Sequence, residues 1–174
     1  MTKFIGLCVL LFLASCCQAQ DNTWYFIRHF EKQQGNDPHL TELGQHSAQT
    51  LIAVLKGKTL NKIYSTQYNR TIESVTPLAV QRGLQVTLYD PTKLEFLADK
   101  IKDENHILIV GHSNTTPQLI RLMGAEVADL TEADYGQLFT LNKSQDKVHL
   151  STQNLRANEL LKTRLDATLQ KVLK

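Results

Sequence analysis

Three stretches of this chain carry side chains suited to holding and moving a phosphoryl group. Trp24-Tyr25-Phe26-Ile27 runs into Arg28-His29, and Ile107-Leu108-Ile109-Val110 runs into Gly111-His112-Ser113-Asn114. Between them, Tyr64-Ser65-Thr66 leads through Gln67-Tyr68-Asn69 into Arg70-Thr71. Arginine offers a planar, permanently charged fork that fits phosphate oxygens. Neutral histidine offers a ring nitrogen that can attack phosphorus or carry a proton. A single Arg-His dipeptide says little, and so does one Gly-His. Both, each closing an apolar strand and with an arginine between them, read as parts of one phosphate pocket.

The elements that must position these residues follow from periodicity and punctuation. Trp24 to Arg28 reads as a buried strand and Gln33 to His39, with Gly35, Asn36, Asp37 and Pro38, as a loop. Thr41 is an N-cap for a helix whose apolar face carries Ala48, Leu51, Ile52 and Leu55 and which stops at Gly57. Lys62 to Tyr64 is a second strand. A helix from about Tyr68 to Arg82 follows, with a kink or break expected at Pro77 and a stop at Gly83. Gln85 to Tyr89 is a third strand, and Thr92-Lys93-Leu94-Glu95 fits a capping box opening the next helix. His106 to Val110 is the fourth strand, followed by a helix from Asn114 to Met123. Leu138 to Leu141 and Val148 to Thr152 alternate as an edge hairpin, and Asn158 to Lys174 has a helical stripe. Strands alternating with helices predict one layered α/β domain, a three-layer arrangement with a mostly parallel sheet flanked by helices. Ligands bind beyond the carboxyl ends of such strands, which is where His29 and His112 fall.

This pattern resembles the histidine phosphatase superfamily, whose fold is phosphoglycerate mutase-like, over about Tyr25 to Gly124. Arg28-His29 matches the signature in which the histidine is the nucleophile and the arginine binds phosphate. Arg70 matches the second phosphate-binding arginine, and His112 the second histidine, which contacts the transferred group. Leu40-Thr41-x-x-Gly44 matches the motif that opens the first helix of these proteins. Two departures stand out. Phe30 replaces the small residue that usually follows the histidine, where it would either narrow the pocket or pack against the sheet. No general acid is obvious; Asp90, after the third strand, is the first choice and Glu31 the second, while Glu95 has a capping role.

The resemblance implies a phosphatase hydrolysing phosphomonoesters through a phosphohistidine on His29. Phosphoryl transfer is accelerated mainly by positioning and by stabilising charge on the equatorial oxygens. Arg28, Arg70, a protonated His112 and the N–H groups opening the Asn114 helix supply that charge, so no metal and no cofactor is expected. Activity would then peak between mildly acidic and neutral pH, with His29 neutral and His112 charged. Two rival readings stand beside it. A lipoprotein that binds a phospho-ligand without turnover would explain Phe30 and the missing acid. A serine esterase would use Gly111-His112-Ser113-Asn114-Thr115 as a nucleophile elbow, with Asp129 or Asp134 and His149, but Thr115 stands where a glycine belongs. His29-x-Glu31 is not a zinc deaminase motif, since no Pro-Cys-x-x-Cys follows.

Composition narrows the setting. The 174 residues suffice for one domain, and 42% hydrophobic with 21% charged residues is ordinary for a globular protein. With 19 basic and 17 acidic side chains there is no basic field for nucleic acid; the expected partner is a small phosphorylated substrate. Residues 1–19 read as a signal peptide, Lys3 followed by the apolar run Phe4 to Ala14, too short to span a bilayer. Leu13-Ala14-Ser15-Cys16 looks like a lipobox, with lipidation at Cys16; the rival is cleavage after Ala19. Residues 20–174 would then form a single exported domain in the bacterial cell envelope or periplasm, touching membrane only through that anchor. Cys8, Cys16 and Cys17 all lie in the leader, so the domain has no disulfide or thiolate site.

Overall fold

The computed structural model describes residues 22–144 and 147–155. The leader with its Cys16 lipobox and the helix expected over 158–174 lie outside the described residues. Within them, the elements run β1 (Asn22–Arg28), α1 (Glu42–Val54), β2 (Lys62–Ser65), α2 (Asn69–Arg82), β3 (Val86–Leu88), α3 (Leu94–Ile101), β4 (Ile107–Gly111), α4 (Thr115–Leu122), β5 (Gln137–Ser144) and β6 (Lys147–Asn154), with a 3₁₀ turn at Glu132–Asp134.

Six strands form one sheet in the order β3-β2-β4-β1-β5-β6. The first four are parallel, while β5 and β6 add an antiparallel hairpin against β1. Strand alternation sends successive side chains to opposite faces, and two separate cores result. Tyr25, Ile27, Ile63, Leu108 and Val110 pack against Leu51 of α1, Leu55 just after it, and Val75 and Leu78 of α2. Trp24, Phe26, Tyr64, Ile107 and Ile109 pack against Leu97 and Ile101 of α3 and Leu119 and Ile120 of α4. The three-layer arrangement is therefore written in the strands: an apolar residue at every position means both faces are covered.

Three local expectations are revised. Helix α2 runs unbroken through Pro77. The missing hydrogen bond there is outweighed by the buried Ser74, Val75, Leu78 and Ala79, which hold the helix on the sheet on both sides of it. The capping box at Thr92 does not form. Lys93 is the N-cap with no side-chain bond, and Thr92 instead bonds back to Asp90. The β5–β6 hairpin is longer than alternation suggested, because β6 pairs with β5 along eight residues of ladder, while only its Val148 and Leu150 pack on the core.

Candidate active site

Strand register builds the site. Arg28 pairs with Gly111 between β1 and β4, and Ser65 with Val110 between β2 and β4. His29, Thr66 and His112 thus leave the sheet side by side at its carboxyl edge, and His29 N–H donates to the Gly111 carbonyl at 3.0 Å. The rings of His29 and His112 lie 5.6 Å apart, edge to face.

The segment after His29 is fixed from three sides. Phe30 is fully buried in the α1–α2 core. The bulky residue packs inward and does not narrow the pocket, which removes one argument for the non-catalytic reading. Its N–H donates to Ser74 Oγ at 2.9 Å, and that hydroxyl donates to the Arg70 carbonyl at 2.7 Å. One buried hydroxyl therefore ties the loop after His29 to the turn of α2 that carries Arg70. The Glu31 carbonyl accepts from Thr41 N–H at 2.8 Å, and Thr41 Oγ1 in turn caps α1 by accepting from Gly44 N–H at 3.1 Å. Gly44 is needed because a Cβ there would lie 2.2 Å from the Glu31 carbonyl oxygen. The Leu-Thr-x-x-Gly motif is thus a clamp on the strand end that presents His29.

His29 is buried, and its Nδ1 lies 2.8 Å from the Phe30 carbonyl oxygen. A carbonyl can only accept, so the ring proton sits on Nδ1 and Nε2 keeps its lone pair. Burial pushes its pKa down to about 3, a shift the Phe30 bond opposes and the Arg28, His112 and Arg70 charges reinforce. His112 is likewise lowered to about 4, first by burial and then by Arg70 and Arg28. With these values both rings are neutral at pH 7. The expectation of a charged His112 therefore needs a bound anion to raise it.

The Ser-Thr-x-x-x-Arg-Thr run acquires a purpose for each polar residue. His112 Nε2 is 3.0 Å from Thr66 Oγ1, and its Nδ1 is 3.5 Å from Arg70 Nη2. Arginine only donates, so neutral His112 carries its proton on Nε2 and accepts at Nδ1. Thr71 Oγ1 bonds the Thr66 hydroxyl and the Tyr68 carbonyl, closing the turn. Arg70 lies over the Tyr68 ring at 4.5 Å and 3.5 Å from Asp37 Oδ1. Asp37 sits at φ 49° and also accepts from the Asn69 N–H at 2.9 Å, so the loop before α1 folds onto the start of α2.

Arg28 is buried, with its guanidinium 4.0 Å above the Tyr135 ring. Its two terminal nitrogens donate to the Thr131 carbonyl at 2.5 Å and to Glu132 Oε1 at 2.6 Å. Tyr135 and Arg28 hold the Glu132 carboxyl below its ordinary range, while burial and Glu132 push the Tyr135 phenol up to about 12. Among the described residues, Nε of Arg28, Arg70 and Arg82 is buried with no hydrogen-bond partner, and the first two of these lie at the site.

The other residues named from sequence go elsewhere. Asp90 is exposed and closes a turn, accepting from Thr92 N–H at 2.9 Å and Thr92 Oγ1 at 2.7 Å, bonds that lower its pKa. The turn thus engages Oδ1 of Asp90, while Asp90 itself lines the groove that Tyr68 borders. Glu31 is half-buried beside the clamp. The esterase set does not assemble: Asp129 is paired with Arg121 at 2.8 Å, Asp134 caps Thr131, and His149 faces Asn142 in the β5–β6 ladder. Glu132, Tyr135, Thr66, Ser74 and Asp37 were missed. The signal for Glu132 and Tyr135 was Thr131-x-x-Asp134, a capping box that builds the turn over Arg28. No group of three or more His, Cys, Asp or Glu side chains able to hold a metal occurs among the described residues.

Residues 24–91, which carry Arg28, His29, the Leu40 to Gly44 clamp and Arg70, match the family model of the histidine phosphatase superfamily, branch 1. The fold is the histidine phosphatase fold. Among solved structures, the alpha-ribazole phosphatase from Shigella flexneri superposes with a TM-score of 0.65 at 16% identity, covering 78% of this chain and 97% of its own. The Bacillus stearothermophilus protein YhfR gives 0.58 at 18% identity, covering 75% and 96%. The protein histidine phosphatase SixA, complexed with tungstate, gives 0.59 at 12% identity, covering 76% and 97%. No curated protein sequence matches the chain. The resemblance read from the motifs thus holds for this histidine phosphatase fold, although His112 lies beyond the segment the family model covers.

Proposed function

We propose that this chain is a phosphatase that hydrolyses phosphomonoesters through a phosphohistidine on His29, with the site's own cations rather than a metal stabilising the transferred group. The observation that carries this is the His29 tautomer: Nδ1 is tied to the Phe30 carbonyl, and the lone pair of Nε2 is left in a site holding Arg28, Arg70 and His112. The oxyanion held by the structurally similar SixA agrees with such a site.

In the first step Nε2 attacks phosphorus, the bond to the ester oxygen breaks, and its electron pair leaves with the alcohol. Arg28, Arg70 and the Nε donors now lacking partners take the equatorial oxygens. The incoming dianion also offsets the arginine charges that depress His112, so that ring gains a proton on Nδ1 and becomes a further donor. Glu132, next to Arg28 and 75% exposed at the mouth, supplies the acid. An anion that takes over Arg28 removes one of the contacts that keep Glu132 ionised, and the carboxyl can then carry the proton the leaving oxygen needs. In the second step the Glu132 carboxylate takes a proton from water, whose oxygen attacks phosphorus; the P–N bond breaks and the pair returns to Nε2. The leader would place this activity at the cell envelope, held by a lipid on Cys16.

The test is turnover of p-nitrophenyl phosphate with EDTA present, together with acid-quench trapping of labelled enzyme. Turnover and an acid-labile, base-stable phosphoenzyme, both lost in His29→Ala and kept in Ser113→Ala, are expected. Binding of vanadate without turnover or label would establish the non-catalytic reading instead.

A further inference from the structure

We propose that the amino edge of the sheet is a basic face that rests on an anionic lipid surface, with the His29 site turned away from it towards water. The formal charge of the chain is only +2, but it is divided unevenly between the two edges of the sheet. At the carboxyl edge, around the phosphate-binding arginines, stand Asp37, Glu42, Glu73, Asp90, Glu132 and Asp134. At the amino edge, the segments leading into β2 and β4 carry Lys56, Lys58, Lys62 and Lys102. The β5–β6 hairpin adds Lys143 and Lys147 there, because antiparallel pairing sets Lys143 beside Asn22 at the start of β1.

Four of these lysines have no carboxylate to answer. Lys62 pairs with Glu104 at 2.7 Å and Lys102 with Asp99 at 2.8 Å. Lys56, Lys58, Lys143 and Lys147 are exposed and make no ion pair among the described residues. Asp103 and Glu126, after α3 and α4, oppose them, as does Asp146 between the hairpin lysines in sequence. A lysine after a helix complements the helix dipole, which accounts for Lys56 and Lys58 after α1. A hairpin has no such dipole, so Lys143 and Lys147 are not explained that way.

Strand spacing gives the face its size. From β2 to β6 the order runs β2-β4-β1-β5-β6, intervals of about 4.8 Å each. The two lysine pairs therefore stand roughly 19 Å apart, too wide for one small anion and matched to a plane of headgroups. Strand β1 lies midway between them, and the leader enters the domain there. Cys16, the expected lipid site, reaches Asn22 through a tether of about 20 Å at full stretch. His29 is about 23 Å further along β1. A lipid on the leader and the lysines would thus hold down the same edge, while the acidic carboxyl edge is repelled. Surface attraction fades within a Debye length of about 10 Å, so the near edge alone feels it. A phosphorylated substrate then reaches His29 from the aqueous side.

The experiment titrates the purified full chain with vesicles of phosphatidylcholine, alone or with about one-third phosphatidylglycerol, in about 0.1 M salt. The leader contributes to binding on both, so the ratio of the two partition constants reports the face. A ratio of about a hundredfold or more is expected, collapsing in about 1 M salt. Lys56→Gln/Lys58→Gln and Lys143→Gln/Lys147→Gln should each lower it about 25-fold, at roughly fivefold per lysine. Lys32→Gln/Lys93→Gln removes the same charge at the opposite edge and should leave the ratio unchanged. Unaltered partitioning onto phosphatidylcholine shows that each variant is intact. A wild-type ratio near one, or equal losses from the two edges, would overturn the face. So would tight binding of a DNA duplex without preference for phosphatidylglycerol, which would give the lysines to nucleic acid instead. None of these readouts involves turnover, so the phosphatase reading stands or falls separately.

Discussion

Gly44→Ala separates a structural reading of the Leu40 to Gly44 motif from an ordinary helix propensity. Gly44 lies in α1 and is not among the glycines with positive φ. Alanine at such a position would normally stabilise by about 1 kcal/mol. Here its Cβ would sit 2.2 Å from the Glu31 carbonyl oxygen, against a practical limit of 3.0 Å, so the two backbones must part by at least roughly 0.8 Å. That movement stretches the 2.8 Å bond from Thr41 N–H and the 3.2 Å bond from Thr41 Oγ1, both to the same oxygen. Overpacking of this kind costs about 1–3 kcal/mol, and each weakened bond about 1 kcal/mol. After the propensity gain, a net loss of about 2–4 kcal/mol is expected, or a Tm lower by about 5–15 °C for a domain of this size. The shift also reaches His29, two residues before Glu31, and misplacing a nucleophile by about 1 Å costs up to a hundredfold in rate. Thermal unfolding followed by circular dichroism, paired with kcat on p-nitrophenyl phosphate well below the new Tm, reads both effects. A Tm that rises, or one that falls while kcat is untouched, would refute the clamp.

Three further perturbations test the rest of the site. Glu132→Gln should lower kcat on ethyl phosphate by about a hundredfold and on p-nitrophenyl phosphate far less, because nitrophenolate leaves without a proton; equal losses on both would remove Glu132 from the acid role. Ser74→Ala strands the buried Phe30 N–H, destabilising by about 1–3 kcal/mol, and should lower kcat with little change in KM; intact kcat in the folded variant would mean that Ser74 only packs. His29 and His112 are both held below 6.5, at about 3 and 4, so the unfolded chain binds their protons first as pH falls. Their contribution is full above about pH 6.5 and is lost as pH drops towards those values, so the urea midpoint should fall between pH 7 and pH 4. In His29→Gln/His112→Gln the fall should be smaller, and an equal fall would show that the histidines are not its source.

Much of this protein was legible before folding was considered. Apolar residues at every position of Trp24 to Ile27 and Ile107 to Val110 dictate strands covered on both faces, hence helices on two sides and a crevice at the carboxyl edge. Arg28, His29, Arg70 and His112 are recognisable because their chemistry is attached to those strand ends. What the sequence could not state was which distant segments meet there. Asp90 follows a strand, and only the fold shows Thr92, two residues on, engaging one oxygen of its carboxylate in a turn. Glu132 lies more than a hundred residues after Arg28, in a stretch with no apolar period, and reaches it because the 3₁₀ turn ahead of β5 folds over the end of β1. Phe30 could have pointed either way until the gap between α1 and α2 was seen to need a large apolar side chain. Local rules fix which strand end carries which side chain, whereas long-range packing and hydrogen bonding decide which of those side chains are already spoken for.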